Sequence, residues 1–400
     1  MSRHELDRRR FLQRAAAGVG AMSALAGRGA GLDADSALPV GRRPYRGPNV
    51  VMIRFGGGVR RRETIEAGTT YSPYFLHELC KRGTLYKDME ISNLEGVQTS
   101  HGQGTLYLLT GKYNAYRDVN TQFLGERFES EVPTVFEYFR KEYDIPDHQA
   151  LIINGEDRTD EEFYSFSNHH LFGVEYRSNV LSLYRYKVFL LRKQIERADM
   201  PEKELAEKKK QLAKLEALDI RVADPEAQSP EINRFWEDWR TFYGESGFVN
   251  PRGDRLLTEL TVRALKQLRP KLLIVNFNDP DYVHWGNPMH YTIGISVIDE
   301  GIKRIVEAVE ADEEYRGNTV FAIVPDCGRD TNRMMDVPFQ HHFGSRSSHE
   351  IFGLFFGAGI ARGQVVDRTV DQISVAATIS HAMNVAADHT EGPVLSEAIA

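Results

Sequence analysis

Five short apolar runs recur along the chain, at 48–55, 150–154, 271–277, 319–325 and 351–356, and glycine or polar residues cut each one short. Runs of this length, rich in Val, Ile and Leu, fit strands covered on both faces. The stretches between them carry apolar residues at helical spacing, clearest over 135–143, 295–309 and 370–383. Leu106–Leu109 followed by Thr110-Gly111 reads as the end of a further helix. Strands alternating with helices predict an α/β chain: three α/β/α layers around a mostly parallel, doubly wound sheet. In such sheets functional residues collect in loops at the C-terminal ends of the strands. The polar residues directly behind the runs are therefore the ones to read for chemistry.

Two segments stand outside this alternation. Residues 1–30 begin with the basic stretch Asp7-Arg8-Arg9-Arg10-Phe11-Leu12, continue through small apolar residues 15–26, and offer Ala24-Leu25-Ala26 as a cleavage site. This predicts a twin-arginine signal peptide, with a basic amphipathic helix as the alternative. It implies the Tat translocase as a transient partner and a periplasmic or secreted product. The stretch is too short and interrupted for a stable membrane anchor. Residues 181–245 are dense in Lys, Glu, Leu and Gln, with a break at Asp199-Met200-Pro201. They predict a charged helical hairpin inserted into one domain spanning 47–400, acting as a solvated face, a lid or a dimer contact. The net charge of −7 argues against nucleic acid as a partner. Two cysteines, Cys80 and Cys327, are too few for a disulfide framework.

Four clusters carry the chemistry. In Asn276-Phe-Asn-Asp-Pro-Asp281-Tyr-Val-His284, a helical turn would bring Asp281 and His284 together at i, i+3, a carboxylate and an imidazole suited to zinc. A capping Asp with an ordinary surface His is the other reading. Asp326-Cys327-Gly328-Arg329 follows a strand directly. Asp326 is a candidate ligand, Cys327 either a thiolate ligand or a small buried residue, and Arg329 an anion partner or a surface residue. His341, His342 and His349 crowd the segment before the 351–356 run, and His349 is the preferred ligand of the three. Thr99-Ser100-His101 precedes the helix that ends at Gly111. A hydroxyl there is either a nucleophile beside free N–H groups or a helix cap.

In chain order these clusters resemble the alkaline phosphatase superfamily, which includes sulfatases, nucleotide pyrophosphatases and cofactor-independent phosphoglycerate mutases. Asn49-Val-Val-Met-Ile is similar to the opening strand, Leu108-Leu-Thr-Gly-Lys112-Tyr to the sulfatase ending LLTGRY, and the Asn276 segment to the mutase NFANPDMVGH. The resemblance covers roughly 47–385 apart from the insertion. It implies a first metal centre at Asp281, His284 and His349, and a weaker second one at Asp326 and Cys327, with zinc expected and manganese or calcium as alternatives. It puts the nucleophile at Ser100 or His101, and anion-neutralising charges at Lys112, Arg329 and Arg346. Three departures stand out: Gly56 or Gly57 where the family has a metal-binding Asp, Cys327 where it has His, and His101 in the ungapped nucleophile position. The expected activity is metal-dependent hydrolysis of a small anionic ester, phosphate or sulfate. A non-catalytic envelope protein that binds a metal or partner, and a phosphomutase-type transferase, are the alternatives.

Overall fold

The computed structural model describes residues 43–118, 128–155, 171–197, 199–217, 229–244, 253–331, 336, 339–341 and 344–400. The expected signal peptide and His342 lie outside these residues. Among the described residues nine strands form one sheet in the order β10-β2-β9-β8-β1-β7-β5-β6, where β2 is Gly83–Glu90 and β10 is Gln364–Val366, with β11 (Val370–Asp371) paired to β2; β3 (Tyr116–Asp118) and β4 (Phe128–Ser130) pair separately. The strands that matter here are β1 (Asn49–Phe55), β5 (Ala150–Asn154), β6 (Asn179–Ser182), β7 (Leu272–Asn276), β8 (Thr319–Pro325) and β9 (Glu350–Gly357). β1 pairs in parallel with β7 and β8, and β7 with β5. Within the sheet only β9 runs against its neighbours β2 and β8. The sheet is thus mostly parallel, as the sequence predicts.

Each central strand is buried on both faces. On β1, Val51, Ile53 and Phe55 join one core, whereas Val50 and Met52 join the other. This period-two split is the geometry of a strand, and it explains why the run lacks polar alternation. Among the described residues, eight α-helices are eight residues or longer: α1 (His101–Thr110), α2 (Val135–Glu142), α3 (Leu183–Ile195), α4 (Glu202–Glu216), α5 (Pro230–Tyr243), α6 (Asp254–Gln267), α7 (Pro288–Ala311) and α8 (Ser374–Ala382). Leu108 of α1, Phe136 of α2 and Ile379 of α8 pack with Val50 and Met52. Trp236 of α5, Leu260 of α6 and Ile298 of α7 pack on the opposite face. Burying one such side chain contributes about 1.5–3 kcal/mol.

The 181–245 region is less of an appendage than its composition suggests. Its first two residues finish the edge strand β6. Helix α5 sends Ile232, Phe235, Trp236 and Trp239 into the core. Among the described residues of this region, only the helix α4 lies outside, with no buried residue. It touches α3 through Leu212 and Leu215 against Tyr184 and Val188. The 370–383 stretch also divides, into the short strand β11 (Val370–Asp371) and then α8. Among the described residues, no helix is long and apolar enough to cross a membrane. Cys80 and Cys327 are both free and buried.

Candidate metal centre

β7, β1 and β8 lie side by side and end together, so the loops behind Asn276, Phe55 and Pro325 share one edge of the sheet. Behind β7 the chain turns into a 3-10 helix, Asp279–Trp285. Residues i and i+3 eclipse in such a helix, and His284 Nε2 reaches Asp281 Oδ1 at 2.8 Å. A clamp from α6 fixes this turn. The Asp254 carboxylate accepts the backbone N–H groups of Asn278 (2.9 and 3.0 Å) and Asp279 (2.7 Å), and Asp279 in return accepts the N–H of Asp254 at 3.1 Å.

Behind β8, Asp326 is fully buried and accepts the N–H groups of Cys327 at 2.8 Å and Gly58 at 3.3 Å through Oδ1. The N-terminus of α1 comes in against this carboxylate. Gly104 permits the approach, since a Cβ there would stand 2.0 Å from the Asp326 carbonyl oxygen. His101, the first residue of α1, consequently sits between two acids. Its Nδ1 is 2.7 Å from Asp326 Oδ2, and its Nε2 is 3.0 Å from Asp281 Oδ1. That Nε2 is buried and lies off the line of a hydrogen bond.

The structure adds a residue that sequence reasoning left undecided. His341 is buried, with Nδ1 2.9 Å from the Thr99 carbonyl and Nε2 3.5 Å from Asp281 Oδ1. The ligand atoms of His101, Asp281, His284 and His341 all lie within 4.8 Å of one another. For His101 and His341 the outer nitrogen is anchored, on a carboxylate and on a backbone carbonyl respectively. Such anchoring is how a metal-ligating imidazole is aimed. Three imidazoles and one carboxylate form a donor set matched to zinc. Calcium, which takes oxygen ligands, does not fit it.

The electrostatics agree with this geometry. Burial pushes His101 down, but the charges of Asp326 and Asp281 outweigh it and hold the imidazole well above the usual histidine range. Burial pushes Asp281 up, yet the charge of His101 and the closeness of the His101, His284 and His341 imidazoles hold it well below the carboxylate range. Asp326, opposed by burial but drawn down by His101 and Arg54, falls to about 2. His341 is lowered to about 3 by burial and by the charge of His101, so it is neutral. Burial raises the Cys327 thiol to about 11.

Several expected site residues lie elsewhere or do something else. His349 belongs to neither cluster of potential ligands; it is buried, with Nδ1 2.9 Å from the Ile91 carbonyl. Ser100 caps α1, its Oγ accepting the Gln103 N–H at 3.4 Å. Lys112 lies past the far end of α1, about 16 Å along the axis from His101 at the helical rise of roughly 1.5 Å per residue, and pairs with Glu391. The Arg346 side chain is 89% exposed and pairs with Glu350. Arg329 is fully buried, its guanidinium bonded to the carbonyls of Gly57, Gly58 and Phe339. None of these three cations is therefore free at the site to hold an anion. Cys327 keeps company with His101 and Asp326, but as a protonated thiol, 3.8 Å from His341 Nδ1.

No protein-family model matches the chain, and no curated protein matches it in sequence. Solved structures are similar in fold. The alkaline phosphatase PafA superposes with a TM-score of 0.51 at 9% identity, covering 89% of this chain and 99% of that one. A 2-O GAG sulfatase gives 0.50 at 13% identity, over 88% and 74%. A candidate sulfatase from Bacteroides thetaiotaomicron gives 0.52 at 13% identity, over 88% and 74%. The chain has the α/β fold of the alkaline phosphatase superfamily.

Proposed function

We propose that the chain is a metal-dependent hydrolase of small phosphate or sulfate esters, exported by the twin-arginine route to the periplasm. The observation that carries this reading is the convergence of His101, His284 and His341 on Asp281 at the C-terminal ends of the central strands. These four residues would hold one divalent cation, zinc first. When bound, such an ion supplies charge for an ester oxygen and lowers the pKa of a water. The protein does the rest. Asp326 holds His101 in one orientation through Nδ1, and the Thr99 carbonyl does the same for His341. The N-terminus of α1 faces the cluster and favours an anionic group. His284 is the most exposed of the four side chains, at 22%, so substrate enters on its side.

Elemental analysis of the protein purified without chelators, followed by assays with p-nitrophenyl phosphate and sulfate, tests the proposal. Bound zinc with turnover that is lost in His284→Ala is the expected result. A protein that binds no metal and turns over neither ester sinks it.

One observation favours a second reading, a metal-binding envelope protein without catalysis. The hydroxyls at the nucleophile position are committed: Ser100 caps α1, and Thr99 donates to the His341 carbonyl at 2.7 Å. Zinc bound in full with no ester turnover is the outcome that selects it.

A further inference from the structure

We infer that this centre takes a single divalent cation, with the buried Arg54 and Arg329 guanidinium groups supplying the fixed positive charge that a second ion would bring; the inference rests on the metal-binding reading above. The argument starts at the end of β1, which delivers no ligand. A Cβ at Gly56 would stand 1.9 Å from the Phe277 carbonyl oxygen. One at Gly57, where φ is +85°, would stand 2.7 Å from the backbone nitrogen of Asp281. A carboxylate cannot be accommodated at either position without moving the chain behind β7.

Cations already occupy the same ground. Arg54, on β1 and 2% exposed, sends Nη1 to Thr105 at 2.8 Å and Nη2 to the Phe277 carbonyl at 3.3 Å, with Nε 3.8 Å from Asp326 Oδ2. Arg329 turns the inward carbonyls of Gly57 and Gly58 into hydrogen-bond acceptors, with Nη2 3.4 Å from Asp281 Oδ1. Two guanidiniums thus stand beside the two buried aspartates before any ion binds, in addition to His101 between them. An Arg cannot shed its charge to make room for a metal.

The remaining group of potential ligands, His101, Asp326 and Cys327, does not make a second site. Asp326 Oδ1 already accepts two backbone N–H groups, and Oδ2 faces His101 and Arg54. His101 would have to give up Nδ1, the nitrogen that Asp326 holds. One ion at the four-residue cluster leaves the site with a net charge near +2, matched to a dianionic ester.

The test is stoichiometry and affinity. The purified protein is stripped with chelator and titrated with zinc by calorimetry, with elemental analysis of the saturated form. One equivalent is expected. Two equivalents would overturn the inference while leaving the metal reading intact; none would overturn both. Arg54→Met supplies the second arm. Removing a cation from beside the aspartates should tighten zinc binding about tenfold by Coulomb's law at close range, and Arg54→Lys should restore the original affinity. A folded Arg54→Met protein with unchanged or weaker zinc binding would show that Arg54 acts only in packing.

Discussion

β1 and β7 are neighbours in register, with Arg54 opposite Asn276, and they end at the same edge of the sheet. Yet one ending builds the centre and the other only makes room for it. Behind β7 a 3-10 turn spends seven residues on presenting Asp281 and His284, and Asp254 braces it from the next helix. Behind β1, Gly56 and Gly57 pass against the chain behind β7 at backbone distance while Gly58 lies against Gly328, and a buried Arg329 ties off the carbonyls of Gly57 and Gly58. The two endings are complementary, because the turn can lie low only where its neighbour has no side chains. Ligand density at an edge is therefore a property of strand pairs, and a missing ligand on one strand is the space used by another.

The comparison can be broken from the β1 side first. Gly56→Ala sets a Cβ against the Phe277 carbonyl and must part β1 from the chain behind β7, so a loss of about 4 kcal/mol or more is expected by urea denaturation. A loss under about 1 kcal/mol would mean that the close approach is not needed. Asp254→Ala leaves the N–H groups of Asn278 and Asp279 without their carboxylate. A loss of about 3 kcal/mol, together with weaker zinc binding, is expected because the turn carries two ligands. Wild-type zinc affinity in this variant would show that the turn holds its shape unaided. Asp326→Asn removes the charge behind His101 and beside the buried Arg54, and should weaken zinc roughly 10–100-fold with a loss of about 3 kcal/mol in stability, as read by calorimetry and urea denaturation. His349→Ala should be the mildest for the centre, with zinc affinity within about 0.5 kcal/mol of wild type. A large loss there would return His349 to the ligand set.

Much of this was legible in the sequence. The apolar runs, each cut short by polar residues, gave the sheet. The i, i+3 spacing of Asp281 and His284 and the position of Asp326 behind a strand gave half of the centre. The sequence marks His341 only as one of three crowded histidines. No periodic element surrounds it, and its role depends on a contact with Thr99, 242 residues away. His349 looked better because it precedes a strand, but Ile91 on another segment claims its Nδ1. The charges misled for a similar reason. Lys112 and Arg346 lie near site residues in sequence, yet a helix and an exposed turn carry them away. Arg329 does reach the site, but there it donates to the Gly57, Gly58 and Phe339 carbonyls and to Asp281 Oδ1. Local pattern reports which element a residue belongs to; the partners that commit a side chain come from distant segments.

The three tryptophans of the chain divide in a useful way. Trp236 and Trp239 are buried in α5 against Phe235 and Tyr186. Trp285, the residue after His284, is 70% exposed and rests on the Tyr282 ring, 5.0 Å between centroids. Two indoles therefore emit from a dry interior at short wavelength, while the third emits from water beside the centre. The red edge of the intrinsic fluorescence belongs to that single residue. A paramagnetic cation such as manganese would dim that edge and spare the blue side of the spectrum, so the protein reports on its own site without a label.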